Sequence, residues 1–290
     1  MLVKRDDGLG PMLLPYVLPG LAAAVLLTLG CGVRGLLAVP VFLGLWLLGT
    51  LAVILAVVLY WWILSLTVDM KAPPPKEAHP FYRFHVLWVI SFLARVSRVR
   101  LHYTGDEKLP EGRFVLVSNH RSAFDPILTV WALRKRTFSI ITKPENLRRF
   151  IAGPLIYRAN FLPIDREDPR QAMRTIQAAT ELITDDVVSV GVYPEGTRNR
   201  RPEEGLLPFH NGVFKIAQRA GVPLVVASVR GTEDIARHAP WKPTEVYLNI
   251  CEVIPPEELA GSTGTLGKRV REILEEDLQA CGRNKSCLLT

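Results

Sequence analysis

Residues 8–33 contain no charged side chain, and after Arg34 residues 35–68 again contain none. Each run exceeds the roughly 20 residues that span a bilayer. A helix in a soluble core keeps a polar stripe, which neither run has. The expected structure is an N-terminal transmembrane helical hairpin over residues 1–70. Pro40 either bends the second helix or marks its late start. The runs are too long and too numerous for a signal peptide, and no cleavage-like segment precedes a mature domain. Lys4 and Arg5 precede the first run, Lys71 and Lys76 follow the second, and Arg34 is the one basic residue between them. The positive-inside rule then places both ends of the hairpin on the cytoplasmic side; Asp6 and Asp7 weigh little in it.

After residue 68 the chain carries 32 Lys and Arg against 26 Asp and Glu. That mild basic excess suits an anionic membrane surface or a phosphorylated substrate. Nucleic acid is not expected as a partner: zinc-finger spacing, a basic helix and aromatic-basic stacking motifs are all missing from the sequence. The cysteines, Cys31, Cys251, Cys281 and Cys287, form no CxxC and no metal-ligand cluster with the histidines, and read as reduced cytoplasmic thiols. No metal is expected.

Residues 71–80, with Pro73, Pro74, Pro75 and Pro80, read as a stiff extended linker. Residues 81–290 would form the second domain. Phe81, Phe84, His85, Trp88 and Phe92 fall at helical spacing among arginines. That helix either lies in the headgroup region or packs on the domain. Further on, strand-like runs (101–103, 114–117, 138–142, 187–192, 224–229, 245–251) alternate with helical ones (126–134, 145–158 with a break at Gly153-Pro154, 168 onward, 212–220, 266–278). Asp168 caps a helix with Pro169 at its first position, and Gln171 is placed to close a capping box. The alternation predicts an α/β domain with a mixed, largely parallel sheet flanked by helices. Gly261 through Lys268 resembles a phosphate loop with the wrong spacing and reads as a linker.

The chemistry centres on Ser118-Asn119-His120-Arg121-Ser122-Ala123-Phe124-Asp125. A short buried strand precedes it, and Asp125-Pro126 reads as a helix start with Asp125 as its cap. His120 and Asp125 therefore share one tight loop, in which a carboxylate can hold an imidazole as a general base. Ser118 and Ser122 read as loop hydrogen-bonders. Three further stretches lie at strand ends: Phe161 to Arg166; Tyr193-Pro194-Glu195-Gly196-Thr197-Arg198, directly after the strand at 187–192; and Val222-Pro223-Leu224-Val225. Ligands gather at the carboxyl ends of strands in such sheets. Arg198 offers a planar fork suited to phosphate, Gly196 lets the backbone come close, and Thr197 adds a hydroxyl. Glu195 can orient Arg198 or a substrate hydroxyl, Arg166 can add a second positive charge unless Asp165 pairs with it, and Lys143 is a further phosphate candidate. The residues alone describe a His-Asp base beside a phosphate cradle on a membrane-anchored domain.

In this order the motifs resemble the glycerolipid acyltransferases, especially the 1-acylglycerol-3-phosphate acyltransferases, over residues 85 to 251. Asn119 to Asp125 looks like the family's NHxSxxD block, Phe161 to Arg166 its second block, Tyr193 to Arg198 its EGTR block and Val222-Pro223-Leu224 its fourth. Phe209 to Lys215 is similar to the segment between the last two. Asn160 stands where the second block often has Gly, and Val226 where the fourth often has a second Pro. The resemblance implies acyl transfer from acyl-CoA or acyl carrier protein, as co-substrate, to the free sn-2 hydroxyl of lysophosphatidic acid. His120 and Asp125 would be catalytic, and Arg166, Glu195, Gly196, Thr197, Arg198 and Lys143 would bind the substrate. No cofactor is implied, and no covalent intermediate. A lipid hydrolase and a non-enzymatic lipid-binding scaffold are the competing readings. The acceptor among lysophosphatidic acid, glycerol 3-phosphate and other lysophospholipids, the acyl length, the donor, the oligomeric state and the number of true membrane spans are left open.

Overall fold

The structure, a computed structural model, describes residues 10–32 and 35–283. Lys4, Arg5, Asp6, Asp7, Arg34 and Cys287 lie outside the described residues, as does the side chain of Cys281. The chain divides into two compact units, one over Asp6–Asp69 and the other beginning at Met70.

In the first unit, helix α1 covers Gly10–Gly30 and α2 covers Ala38–Leu66. Pro40 lies in the first turn of α2, where no intrahelical N–H is lost, so it marks the start of the helix without bending it. At 29 residues α2 is about 44 Å long. Among the described residues it is the one helix long and apolar enough to cross a membrane; the apolar part of α1, Leu14–Gly30, is shorter. The two helices pair through glycine. A methyl group on Gly20 would stand 2.6 Å from the Thr50 amide nitrogen, and one on Gly49 would stand 2.9 Å from the Gly20 Cα. Small residues at a crossing let two backbones approach where lipid offers no hydrophobic drive.

The second unit contains, in chain order, α3 (Pro80–Val96), β1 (Val99–Thr104), β2 (Val115–Ser118), α4 (Phe124–Ala132), β3 (Phe138–Thr142), α5 (Pro144–Leu147), α6 (Ala152–Arg158), β4 (Leu162–Pro163), α7 (Pro169–Thr184), β5 (Ser189–Val192), α8 (Lys215–Ala220), β6 (Leu224–Arg230), α9 (Ile235–His238), β7 (Thr244–Ile254) and α10 (Thr263–Arg283). The seven strands form one sheet in the order β1-β7-β6-β2-β5-β3-β4. Every neighbouring pair is parallel except β6 with β7. This is the mixed, largely parallel, helix-flanked sheet expected from the alternation.

Central strands are apolar on both faces because both are covered. Val115, Val117, Val190, Val192, Leu224 and Val226 pack with Ile176, Ala179 and Ile183 of α7, Ile216 of α8, and Val270 and Leu274 of α10. Alternation sends Leu116 and Phe114 the other way, where Phe114 stacks on Phe138 at 6.1 Å. Gly191, in the middle of β5, is required by this packing. A methyl group there would meet Phe138 Cζ at 2.6 Å and Ile140 Cδ1 at 2.7 Å. Gly191→Ala overpacks that contact and destabilises by about 1–3 kcal/mol; a thermal melt of the purified protein should show the midpoint lowered by several degrees.

Helix α3 packs on the domain. His85, Val86, Ile90 and Ala94 are buried, and Arg83 donates to the carbonyls of Phe138 (3.0 Å) and Arg136. Phe81 and Phe84 stay exposed. The proline-rich stretch is no free spacer. Tyr157 Oη donates to the Ala72 carbonyl at 2.5 Å and Asn160 Nδ2 to the Pro75 carbonyl at 2.7 Å, while Arg158 pairs with Glu77 at 3.2 Å. Proline-rich backbone forms no ladder of its own, so its carbonyls remain free to accept.

Four local expectations need correction. The helical break between 145 and 158 falls at residues 148–151, and Gly153-Pro154 lies inside α6. Gly153 is there because a methyl group would come 2.0 Å from the Leu147 carbonyl oxygen. Asp168 does cap α7, accepting from the Arg170 and Gln171 amides. The side chain of Gln171, however, accepts from the Asp165 amide at 2.6 Å instead of closing a capping box, because the preceding loop folds back over it. The helix after His120 begins at Phe124, so Asp125 lies within its first turn and is not the cap. Finally, Thr263 to Lys268 belongs to α10, with Ser262 Oγ accepting from the Thr265 amide at its start, and is not a linker.

Candidate active site

Strands β6, β2, β5, β3 and β4 all run in one direction. Their carboxyl ends therefore line one sheet edge. His120 follows β2, Lys143 follows β3, Arg166 follows β4, and Tyr193 to Arg198 follow β5. Val222-Pro223 precedes β6 and lies at the opposite edge.

His120 Nδ1 lies 2.7 Å from Asp125 Oδ2. The same oxygen accepts from the amides of Arg121 (2.6 Å) and Ser122 (2.7 Å), and Oδ1 accepts from the Thr232 hydroxyl. Asp125 is fully buried. Its oxygens are surrounded by donors, so the buried side chain is left with no unsatisfied polar atom. These demands on its side chain explain why it cannot also cap α4. Ser118 and Ser122 bond within the loop, Ser122 Oγ accepting from the Phe124 amide at 3.0 Å.

With Nδ1 committed to Asp125 as donor, Nε2 of His120 presents a lone pair. The ring lies on Tyr193 at a centroid distance of 4.6 Å, and the His120 side chain keeps 14% exposure. Tyr193 cannot ionise nearby, because burial and the Asp125 charge push its hydroxyl well above the usual phenol range; Thr129 Oγ1 lies 3.1 Å from it.

Glu195 is buried, and both its oxygens are engaged by backbone amides. Its Oε1 accepts from the His120 amide at 2.6 Å and its Oε2 from the Leu207 amide at 2.9 Å. It therefore holds two loops together, and it makes no hydrogen bond or ion pair with Arg198. Burial raises its pKa, and the bonds from His120 and Leu207 offset part of the rise. The His120 carbonyl is fixed as well, by the Asn199 amide at 2.6 Å. Asn119 pairs with Val229 as a strand residue would, through Oδ1 (2.8 Å) and Nδ2 (2.9 Å).

Gly196 has a φ of +76°. A methyl group there would stand 3.0 Å from Arg166 Nε and 2.8 Å from His210 Nε2, so both side chains sit against its backbone. Burial lowers the Arg166 pKa, partly offset by Glu145. Asp165 does not pair with Arg166; it accepts from the Glu167 amide at 3.0 Å. Thr197 and Arg198 are exposed on the same loop as Gly196, and Lys143 is exposed at the end of β3. Thr232, Tyr193 and His210 were not picked out as site residues by sequence. Thr232 meets Asp125 across 107 positions, and no local pattern signals such a pairing. Asn160, in place of the usual glycine, adopts φ +67°, which asparagine tolerates. Among the described residues no group of His, Cys, Asp and Glu is arranged to hold a metal.

A family model described as Acyltransferase matches residues 100–230. The chain is 31% identical over 151 residues to a 1-acyl-sn-glycerol-3-phosphate acyltransferase of Haemophilus influenzae, covering 52% of this chain and 60% of that one. It is 31% identical over 167 residues to the mouse 1-acyl-sn-glycerol-3-phosphate acyltransferase alpha, covering 57% of each. The match thus spans little more than half the length of these curated relatives. The crystal structure of the 1-acyl-sn-glycerophosphate acyltransferase PlsC from Thermotoga maritima shares the fold, with a TM-score of 0.55, 23% identity, and coverage of 71% of this chain and 89% of that one. The matching family model and these relatives agree on what the chain resembles: residues 100–230, which carry the His120, Arg166 and Glu195 loops along one sheet edge, are similar to an acyltransferase domain.

Proposed function

We propose that this protein transfers a fatty acyl group from a thioester donor to the free sn-2 hydroxyl of lysophosphatidic acid, giving phosphatidic acid. The observation that carries the reading is the 2.7 Å contact of His120 Nδ1 with the buried Asp125, which leaves Nε2 free to act as a base. His120 Nε2 takes the hydroxyl proton. The oxygen attacks the thioester carbonyl, the C–S bond breaks, and the thiolate leaves. The imidazolium returns its proton to that thiolate; with a thiol pKa of about 8.5 the assistance is modest. General base catalysis supplies roughly 10²–10⁴-fold, and positioning of two substrates at a membrane supplies much of the rest. The step balances without a metal or bound cofactor, and acyl-CoA or acyl carrier protein enters as co-substrate.

Arg166, Thr197 and Arg198, and more distantly Lys143, would hold the acceptor phosphate. Arg198 is exposed and makes no ion pair with a described residue, which leaves its donors available. Arg198→Ala should raise the apparent KM for lysophosphatidic acid about ten-fold, the loss of one charge-assisted contact, with kcat little changed. The apolar N-terminal helices, with α2 long and apolar enough to cross a membrane, support a membrane location in this reading. The division into hairpin (1–70), linker (71–80) and acyltransferase domain (81–290), and the cytoplasmic placement of that domain, belong to this proposal.

The test is thiol release by the purified protein from acyl-CoA with lysophosphatidic acid, with glycerol 3-phosphate, and with no acceptor. Release that depends on lysophosphatidic acid supports the reading. Equal release without acceptor would replace it with a hydrolase. Silence with both acyl-CoA and acyl carrier protein donors would leave a lipid-binding scaffold.

A further inference from the structure

Arg166 and His210 come from different parts of the chain, one after β4 and the other from the loop before α8. They converge on one point. A single position, the empty Cβ site of Gly196, lies 3.0 Å from Arg166 Nε and 2.8 Å from His210 Nε2. Both side chains line a cavity of about 380 Å³ whose other walls include Ile141, Ile164, Met173 and Val192. No described residue accepts a hydrogen bond from either side chain. Arg166 is half-buried and its guanidinium is desolvated, as its lowered pKa reflects. Arg166, half-buried, and His210, exposed, thus bring uncommitted donors to one solvent-accessible point, where an anion can bind both.

The position of His210 is built, not incidental. Its amide donates to the Pro194 carbonyl at 2.8 Å, which ties it to the loop of Glu195 and Gly196. Arg271 of α10 donates to the carbonyls of Leu206 (2.9 Å) and Leu207 and lies over the Phe209 ring at 4.6 Å. The segment leading into His210 is thereby clamped on both sides. Any side chain at position 196 would displace the imidazole, whose Cδ2 lies 2.6 Å from the empty Cβ site.

We propose that His210 is a specificity-determining residue that, with Arg166, reads the terminal phosphate oxygens of the acceptor and so selects a phosphate monoester over a phosphodiester. This rests on the acceptor reading above and narrows it. A monoester offers three terminal oxygens, enough for Arg166, Arg198 and His210 to bind separately. A phosphodiester headgroup offers two and adds a substituent where His210 stands. A donor such as acyl-CoA also carries phosphate, so donor and acceptor constants must be measured separately.

The experiment compares the full-length wild-type protein with His210→Ala and His210→Lys, in detergent, using lysophosphatidic acid and lysophosphatidylglycerol as acceptors. His210→Ala should raise the KM for lysophosphatidic acid about ten-fold while kcat and the KM for acyl-CoA stay within about two-fold. The preference for monoester over diester should fall by a similar factor, and His210→Lys should restore most of it. In a parallel measurement, inorganic phosphate should shift the His210 resonances of histidine-labelled wild-type protein. Equal losses with both acceptors, a rise confined to the acyl-CoA constant, or unchanged kinetics would each overturn the proposal. A phosphate-dependent shift at His210 in a protein that transfers no acyl group would support the anion site and defeat the reaction proposed above.

Discussion

His120→Ala should lower kcat for acyl transfer by roughly two to four orders of magnitude, the range supplied by a positioned general base. The fold should survive. Asp125 would lose one donor of four, keeping the amides of Arg121 and Ser122 and the Thr232 hydroxyl, so no buried anion is stranded. The backbone of residue 120 stays fixed through Glu195 at its amide and Asn199 at its carbonyl, neither of which depends on the imidazole. Truncation removes a ring that packs on Tyr193, so a thermal midpoint within a few degrees of wild type is expected. Binding of the phosphate acceptor should be nearly unchanged, because the arginines are left in place. Rate assays and melts on the same preparation separate the two effects. A wild-type rate in a folded His120→Ala protein would sink the base mechanism, and an unfolded one would show that the pair serves stability.

The reach of the sequence can be judged on the same residues. His120 and Asp125 are five positions apart, and a strand followed by a helix start forces them onto one turn, so their pairing was legible. The helix boundary was misplaced by the same logic. Asp125 resembles a cap only while its other partners are unseen, and one of them, Thr232, is 107 residues away. Gly196 was legible as a close-approach site, but what approaches it, Arg166 and His210, is set by sheet order. Alternating strands and helices imply a mostly parallel sheet and do not say that β4 and β5 flank β3, nor that β7 turns antiparallel beside β6. Glu195 shows the limit most clearly. A glutamate between a proline and a glycine reads as a group that orients Arg198 or a substrate hydroxyl, and the partners seen for it are two backbone amides, which leave no mark on composition or spacing.

Glu195→Ala is expected to be the most destabilising single change at the site. It strands two N–H groups, those of His120 and Leu207, in a buried setting, and each unsatisfied donor costs about 1–3 kcal/mol. That is a large share of the 5–15 kcal/mol typical of a folded domain. Activity should fall with it, because the amide of His120 is one of the two backbone groups that fix the imidazole's position. Glu195→Gln keeps one acceptor and turns an amide nitrogen toward the other N–H, so it should lie between wild type and alanine. The pH dependence separates the contributions. Burial raises the Glu195 pKa in the folded state, so between the ordinary carboxylate value and that raised value the folded protein binds more protons than the unfolded chain. Stability contributed by this group is therefore greatest below the ordinary value and declines as pH rises through the raised one. Glu195→Gln abolishes that titration. Denaturant midpoints measured from about pH 4 to pH 7 should show the stability difference between wild type and this variant narrowing as pH rises. A difference that widens instead would mean that the two amide bonds outweigh burial, and that Glu195 holds both loops as a carboxylate with a depressed pKa.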